Sequence, residues 1–171
     1  MAYIGLLSDT HTFFDEKLRE FFKDVDEIWH AGDFGNSLLS DKISALKPLF
    51  GVYGNCDGTD VRLIHPYIQL MERESMRILM MHIGGYPGRY DYKALQLIEA
   101  HRPDIFICGH SHILKVVNDK KYNMLVINPG AAGIQGFHHV RTAIRFRIEA
   151  GSVKDMEVGE WSKSVNIEEE L

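Results

Sequence analysis

Nine histidines in 171 residues are a generous supply, and several stand beside acids or amides at spacings that suit metal chemistry. Asp9-Thr-His11 and His110-Ser-His112 each place two donors at i and i+2, on one side of an extended segment. Gly32-Asp33, Gly54-Asn55 and a histidine at His82 complete the set. Two carboxylates, one amide oxygen and four imidazoles are too hard a donor set for a thiolate zinc-finger site and too many for one ion. Mixed oxygen and nitrogen donors suit Mn²⁺, Fe, Co or Zn, and pairs of such ions about 3.5–4 Å apart serve hydrolases of phosphate esters. Glycines before Asp33, Asn55 and His110 let the backbone turn tightly and admit a close ligand.

Those residues need a scaffold, and the apolar pattern predicts one. Short apolar runs over Tyr3–Ser8, Glu27–His30, Leu49–Tyr53, Met76–Met81 and Ile105–Cys108 read as strands. Each is followed directly by one of the donor motifs. In open α/β sheets the ligand site lies beyond the carboxyl ends of the strands, so five strands deliver Asp, His or Asn to one edge. Helical spacing predicts helices over residues 15–23, with Asp15 near the N-cap, over 37–46 and over Tyr90–His101. A further strand is expected over Val61–Leu70, hairpinned to Met76–Met81 through a polar turn at Glu72–Ser75. Short strands follow at Leu114–Val117, Met124–Ile127, Thr142–Ile148 and Val153–Val158. A βαβαβ start and an antiparallel finish predict an α/β fold: a two-sheet β-sandwich flanked by helices, in a single domain over residues 1–160. Residues 161–171 read as a polar tail, frayed helix or disorder, containing Glu168-Glu169-Glu170.

Composition narrows the function classes. Hydrophobic residues make up 45% and charged residues 25%, ordinary for a globular domain, which excludes a disordered or collagen-like chain. A net charge of −5 provides no basic surplus for nucleic acid or an anionic membrane, so neither is an expected partner. Apolar runs such as Ile105–Cys108 fall far short of the ~20 residues that span a bilayer, and Met1–Leu7 lacks the basic stretch of a signal peptide. Cys56 and Cys108 are the two thiols, too few for a disulfide framework, and point to a reducing compartment, so a cytoplasmic location is expected. A redox-regulated thiol protein acting through Cys56 is disfavoured because no CxxC or resolving partner is present.

Asp9-x-His11, Gly32-Asp33, Gly54-Asn55, His82 and Gly109-His-x-His112, in that order, resemble the motif set of the calcineurin-like metallophosphoesterases. The resemblance covers residues 9 to about 130. The short chain, Gly54-Asn-Cys-Asp57 and Asn128-Pro-Gly130 are similar to the small YfcE-like phosphodiesterases within that family. The resemblance implies a phosphodiesterase or phosphatase with two divalent ions, Mn²⁺ first, with Fe, Zn, Ni or Co as alternatives. It implies that Asp9, His11 and His112 hold one ion, that Asn55, His82 and His110 hold the other, and that Asp33 bridges them. A hydroxide generated between the ions would attack phosphorus in line, with Asp9, Asp33, Asn55, His82 and His110 as the catalytic set. Many relatives carry His after the Asn ligand as a general acid; here Cys56 stands in that place. The substrate implied is a small-molecule phosphate ester, and the resemblance allows a homo-oligomer.

The rival expectation is a protein-interaction scaffold on the same fold, like the retromer subunit, in which part of the donor set is replaced; here all seven positions carry competent donors. Taken singly, Asp9, Asp33 and Asn55 could be turn residues and His82 a core histidine. Their joint placement at one edge favours a site. Elsewhere His30 reads as packing beside the site, His65 and His101 as surface, and His138-His139 as a solvated loop. Arg89 and Arg141 are candidates for gripping a phosphate, and Cys108 reads as a buried small hydrophobe.

Overall fold

The computed structural model describes residues 1–164. Chain order is β1 (Ala2–Leu7), α1 (Glu16–Phe21), β2 (Glu27–His30), α2 (Ser37–Ser44), β3 (Leu49–Gly51), α3 (Thr59–Arg62), β4 (Ile68–Arg73) and β5 (Met76–Met81). It continues through β6 (Gly85–Tyr86), β7 (Arg89–Tyr90), α4 (Tyr92–His101), β8 (Ile105–Ile107), β9 (Leu114–Asp119), β10 (Met124–Pro129), β11 (Val140–Glu149) and β12 (Ser152–Ser162). Two five-stranded sheets form, in the orders β12-β11-β1-β2-β3 and β4-β5-β8-β10-β9, with β6-β7 as a separate hairpin. Within each sheet three neighbouring strands run parallel: β1, β2 and β3 in the first, where β3 is the edge, and β5, β8 and β10 at the centre of the second.

Both faces of β1, β2, β8 and the second half of β5 are buried, which explains their near-continuous apolar sequence, while the edge strand β3 is half-buried at Leu49 and Phe50. Ile4 and Leu6 of β1 join Ile78, Met80, Ile105 and Ile107 of the other sheet in the central core. Their alternate neighbours Tyr3 and Leu7 pack with Leu18 and Phe22 of the α1 region and Leu39 and Ile43 of α2. On the outer face of the second sheet Leu79, Met81 and Phe106 pack with Ala94 and Ile98 of α4. The expected two-sheet sandwich with outer helices is therefore the fold.

Four local expectations change. Val61–Leu70 is not a strand: residues 59–62 are helical, and Leu63 and His65 donate to the carbonyls of Thr59 and Val61. Pro66 has no N–H to continue that turn, so the strand starts only at Ile68. Helix α4 begins at Tyr92 because Asp91 caps it, accepting from Lys93 N and Ala94 N, while Tyr90 belongs to β7. β4 runs on to Arg73, leaving Glu74-Ser75 as a two-residue turn with φ of 48° and 66°. β12 extends to Ser162, taking Trp161 out of the expected tail and onto Phe21, ring centroids 5.3 Å apart. From residue 165 the tail lies outside the described residues.

Candidate metal centre

Asp9 follows β1, Asp33 follows β2, Asn55 follows β3, His82 follows β5 and His110 follows β8, all at the carboxyl edge of their strands. Asp9, His11 and His112 each bring a donor atom within 4.8 Å of one another; so do Asp33, His82 and His110, and so do His11, Asp33 and Cys56. Asp33 belongs to two of these groups, and its Oδ2 lies 3.8 Å from His11 Nε2 and 3.1 Å from His82 Nε2. Six of the seven expected donors thus converge. Asn55 sits in the turn beside Asp33 but is exposed, and its side-chain amide donates to Cys56 Sγ at 3.5 Å.

The backbone here is held in an uncommon conformation. Asp9, His11, Asp33, His110 and His112 all have positive φ, between 43° and 69°. Asp and His tolerate this region better than most residues, yet each instance costs about 1–3 kcal/mol and persists only when surroundings over-determine it. The surroundings do so. Asp9 N donates to Gly32 O, His11 N to Asp33 O and Gly109 N to His82 O, lacing the loops together. Asp9 Oδ2 accepts from Ser8 Oγ at 2.7 Å and from His110 N at 3.1 Å. Gly54 is required by close approach: a Cβ there would lie 2.1 Å from Asp33 Oδ1, the same oxygen that accepts from Cys56 N.

Residues that the sequence did not assign to the site hold these loops. Asp57 is buried, and its carboxylate accepts from Phe34, Gly35 and Gly54 amides, clamping the Asp33 loop to the Asn55 loop. Its sequence signal was Gly54-Asn-Cys-Asp57 itself. Asn128 donates to Gly109 O and to Ser111 Oγ, steadying the His110–His112 loop. His30 accepts from Gly32 N through Nδ1 and therefore donates from Nε2 to Thr10 Oγ1, at 2.9 Å. Burial, with the charges of His65 and His82, keeps it neutral, far below its ordinary value. It stacks on Phe34, which stacks on His65. His65 is consequently buried and bonded to Ser40 Oγ rather than at the surface, because the bend before Pro66 turns it inward.

Two further corrections concern charge and contact. Arg141 grips no phosphate: buried to 1% exposure, it pairs with Asp15 at 2.9 Å, bonds Ala132 O and Ser162 O, and lies between Phe13 and Trp161. His138 is no free loop residue. Its Nε2 donates to Gly133 O at 2.8 Å, which leaves Nδ1 to accept from His112 Nδ1–H at 3.2 Å.

That bond fixes the chemistry of His112. With Nδ1 carrying the proton, Nε2 turns its lone pair toward Asp9 Oδ1, 3.2 Å away. His82 repeats the arrangement: Nδ1 donates to Ala31 O at 2.7 Å, and buried Nε2 faces Asp33 Oδ2 without a well-formed hydrogen bond. Acceptor confronting acceptor in a buried place calls for a positive charge between them, a proton or a cation. Without metal a proton serves. Burial lowers the His82 value, but contact with Asp33 and the charges of Asp9 and Asp33 outweigh it and raise the whole. Burial would likewise raise Asp33, yet His82 and the Cys56 amide bring it down to about 2. Partial desolvation and the Asp33 charge push the Cys56 thiol up, away from thiolate. The donor set, its orientation and its orphaned nitrogen all fit divalent ions.

Comparison with known proteins agrees. The calcineurin-like phosphoesterase superfamily domain matches residues 3–151, and the chain belongs to that family. A relative from Methanothermobacter thermautotrophicus, described as a probable metallophosphoesterase, is 32% identical over 136 residues, covering 75% of this chain and 76% of its own length. An archaeal phosphodiesterase of known structure has a TM-score of 0.73 at 23% identity, covering 91% of this chain and 99% of that one. Vps29 from Chaetomium thermophilum has a TM-score of 0.74 at 15% identity, covering 96% and 100%. At those identities the two structures are alike in fold.

Proposed function

We propose that this chain is a metal-dependent phosphodiesterase that holds two divalent ions at the edge described. Asp9, His11 and His112 would hold one ion, Asp33, His82 and His110 the other, with Asp33 shared and Asn55 completing the second set by a turn of its exposed amide. Ions held there supply Lewis-acid polarisation of the phosphoryl oxygens and a bound water of lowered pKa. The chain's own work is to present neutral imidazole nitrogens and ionised carboxylates at fixed positions before substrate arrives. Ala31 O and His138 set the tautomers of His82 and His112. His110, exposed at the rim, faces the side from which an ester approaches.

The observation that carries this reading is the pair of unreconciled contacts, His82 Nε2 on Asp33 Oδ2 and His112 Nε2 on Asp9 Oδ1. A scaffold has no use for two pairs of that kind, one buried and one half-buried at His112, each stabilised by added positive charge. Cys56 is a poor proton donor at neutral pH, since partial desolvation and the Asp33 charge push its thiol up and make it hold its proton. Departure of the ester oxygen then depends on its own acidity, so aryl diesters should outpace alkyl diesters. The oxygen and nitrogen set suits Mn²⁺, Fe, Co, Ni or Zn, and Mn²⁺ is placed first only because the family resemblance implies it. The free thiols Cys56 and Cys108 suit a reducing cytoplasm.

The test is hydrolysis of bis(4-nitrophenyl) phosphate by protein stripped with chelator and reloaded with Mn²⁺, Fe²⁺, Co²⁺, Ni²⁺ or Zn²⁺, with bound metal measured on the same samples. Turnover that returns with two ions per chain supports the reading. Full turnover in the stripped protein, or no turnover with any ion, sinks it.

A further inference from the structure

Beside the metal centre lies a cavity of about 450 Å³, and His110 forms part of its wall. Its outer wall is the β6–β7 hairpin, in which Tyr86 and Arg89 are paired directly opposite and so project to one face. Lys115 of β9 reaches across to that face, its Nζ 4.0 Å from the Tyr86 ring centroid. Ile83, next in sequence to His82, and Ile113 supply apolar walls. Two cations, Arg89 and Lys115, thus line the same wall as the Tyr86 ring in a chain of net charge −5. Neither is neutralised: among the described residues the Arg89 side chain has no ion pair or hydrogen bond, and Lys115 has only the Tyr86 ring. Asp91, also on the rim, has its carboxylate committed to the N-terminus of α4.

We infer that this cavity binds the organic arm of the substrate, and that the arm joins a flat ring to a second phosphate through a short linker, as the sugar does in a nucleotide. The inference rests on the phosphodiesterase reading for the scissile group, which His110 and its partners would hold. The volume falls in the range that encloses a small-molecule ligand of nucleotide size. Apolar walls and the Tyr86 ring take the flat portion, where contact area rather than hydrogen bonding provides the affinity. The paired cations meet the second phosphate, Arg89 through its planar fork and Lys115 as a point charge. A neutral aryl arm would use the walls and leave the cations idle. Specificity for the doubly charged arm would then reside on the hairpin and β9, away from the metal-bearing loops.

Two measurements test this. In the first, kinetics compare the 4-nitrophenyl diester of thymidine 3′,5′-bisphosphate with bis(4-nitrophenyl) phosphate, in wild type and in the double variant Arg89→Gln, Lys115→Gln. The expected result is a KM for the nucleotide diester raised about tenfold with kcat within about twofold, the signature of lost ground-state binding. Hydrolysis of bis(4-nitrophenyl) phosphate should be unchanged within about twofold. Equal losses on both substrates, or none on the nucleotide diester, overturn the inference. In the second, calorimetry titrates adenosine 3′,5′-bisphosphate and inorganic phosphate into chelator-stripped protein, where no turnover is needed. Saturable binding of the bisphosphate, absent for inorganic phosphate and lost in the double variant, is expected. Equal binding by both proteins, or none by wild type, rejects the pocket whatever the fate of the hydrolase reading. A wild type that binds the bisphosphate but hydrolyses neither ester instead rejects the hydrolase reading alone.

Discussion

The two ends of the sheets both bend the backbone into the left-handed region, for different reasons. At the end far from the site, Glu74-Ser75 and Ala150-Gly151 close β4–β5 and β11–β12 as two-residue hairpins with both φ positive. These are exposed, and their conformation is what right-twisted strands demand of a tight turn. At the site end, Asp9 and Asp33 have similar φ, yet both are buried and neither closes a hairpin. Their conformation is imposed by contacts from other strands. Left-handed backbone at the far end solves a connection; at the near end it aims a carboxylate.

Substitutions that remove what aims those carboxylates should therefore cost far more than changes in the far turns. The largest effect is expected for Asp33→Asn, which removes the charge shared by two donor groups. Turnover should fall by about 10³-fold or more, with both ions depleted, while circular dichroism stays native. Wild-type turnover and metal content in that variant would show that the shared position is misassigned.

Next comes Gly54→Ala. Its Cβ would collide with the Asp33 carboxylate, so the variant should lose about 2–3 kcal/mol in denaturant unfolding and about 10²-fold in rate. Asp57→Ala leaves three amide donors without an acceptor and should cost about 2–4 kcal/mol; Asp57→Asn, which retains one acceptor oxygen, should recover part of it. If Asp57→Ala unfolds at the wild-type denaturant midpoint, the loops are not held by that carboxylate.

His138→Ala frees His112 to flip its tautomer, and metal affinity should weaken about tenfold, with His138→Asn partly restoring it. Calorimetric titration with Mn²⁺ reads this directly, and unchanged affinity would reduce the contact to packing.

A pH effect is also expected, and its sign follows from the paired groups. His82 is raised above 6.5 in the folded metal-free chain, so its share of stability is present below 6.5 and lost as pH climbs through the raised value. Asp33, lowered from 3.8 to about 2, contributes stability that is present above 3.8 and lost as pH falls through about 2. Metal must displace the His82 proton, so the rise in melting temperature on adding Mn²⁺ should be large above the raised value and shrink below it. A rise that is constant from pH 8 to pH 5 would argue against imidazole ligation. Smallest of all should be Gly151→Asn in the far turn, where a Cβ meets open space and Asn tolerates the backbone; a cost of about 1 kcal/mol or less is expected, with activity intact.

The sequence by itself determined the strands, because apolar residues on both faces of β1, β5 and β8 leave a buried parallel strand as the simplest outcome. It also determined the donor edge, since each motif directly follows such a strand, and a parallel arrangement sends all those strand ends the same way. Local spacing misread Val61–Leu70, where a short helix before Pro66 has no periodicity long enough to register. What only the tertiary structure decided are contacts between residues far apart in the chain. His138 meets His112 26 positions away, Asp57 clamps Phe34 23 away, and Arg141 is spent on Asp15 126 away. No periodicity encodes such pairings. They appear only once two sheets have packed and their loops compete for the same few hydrogen bonds, and those bonds turn a set of donor residues into an oriented site.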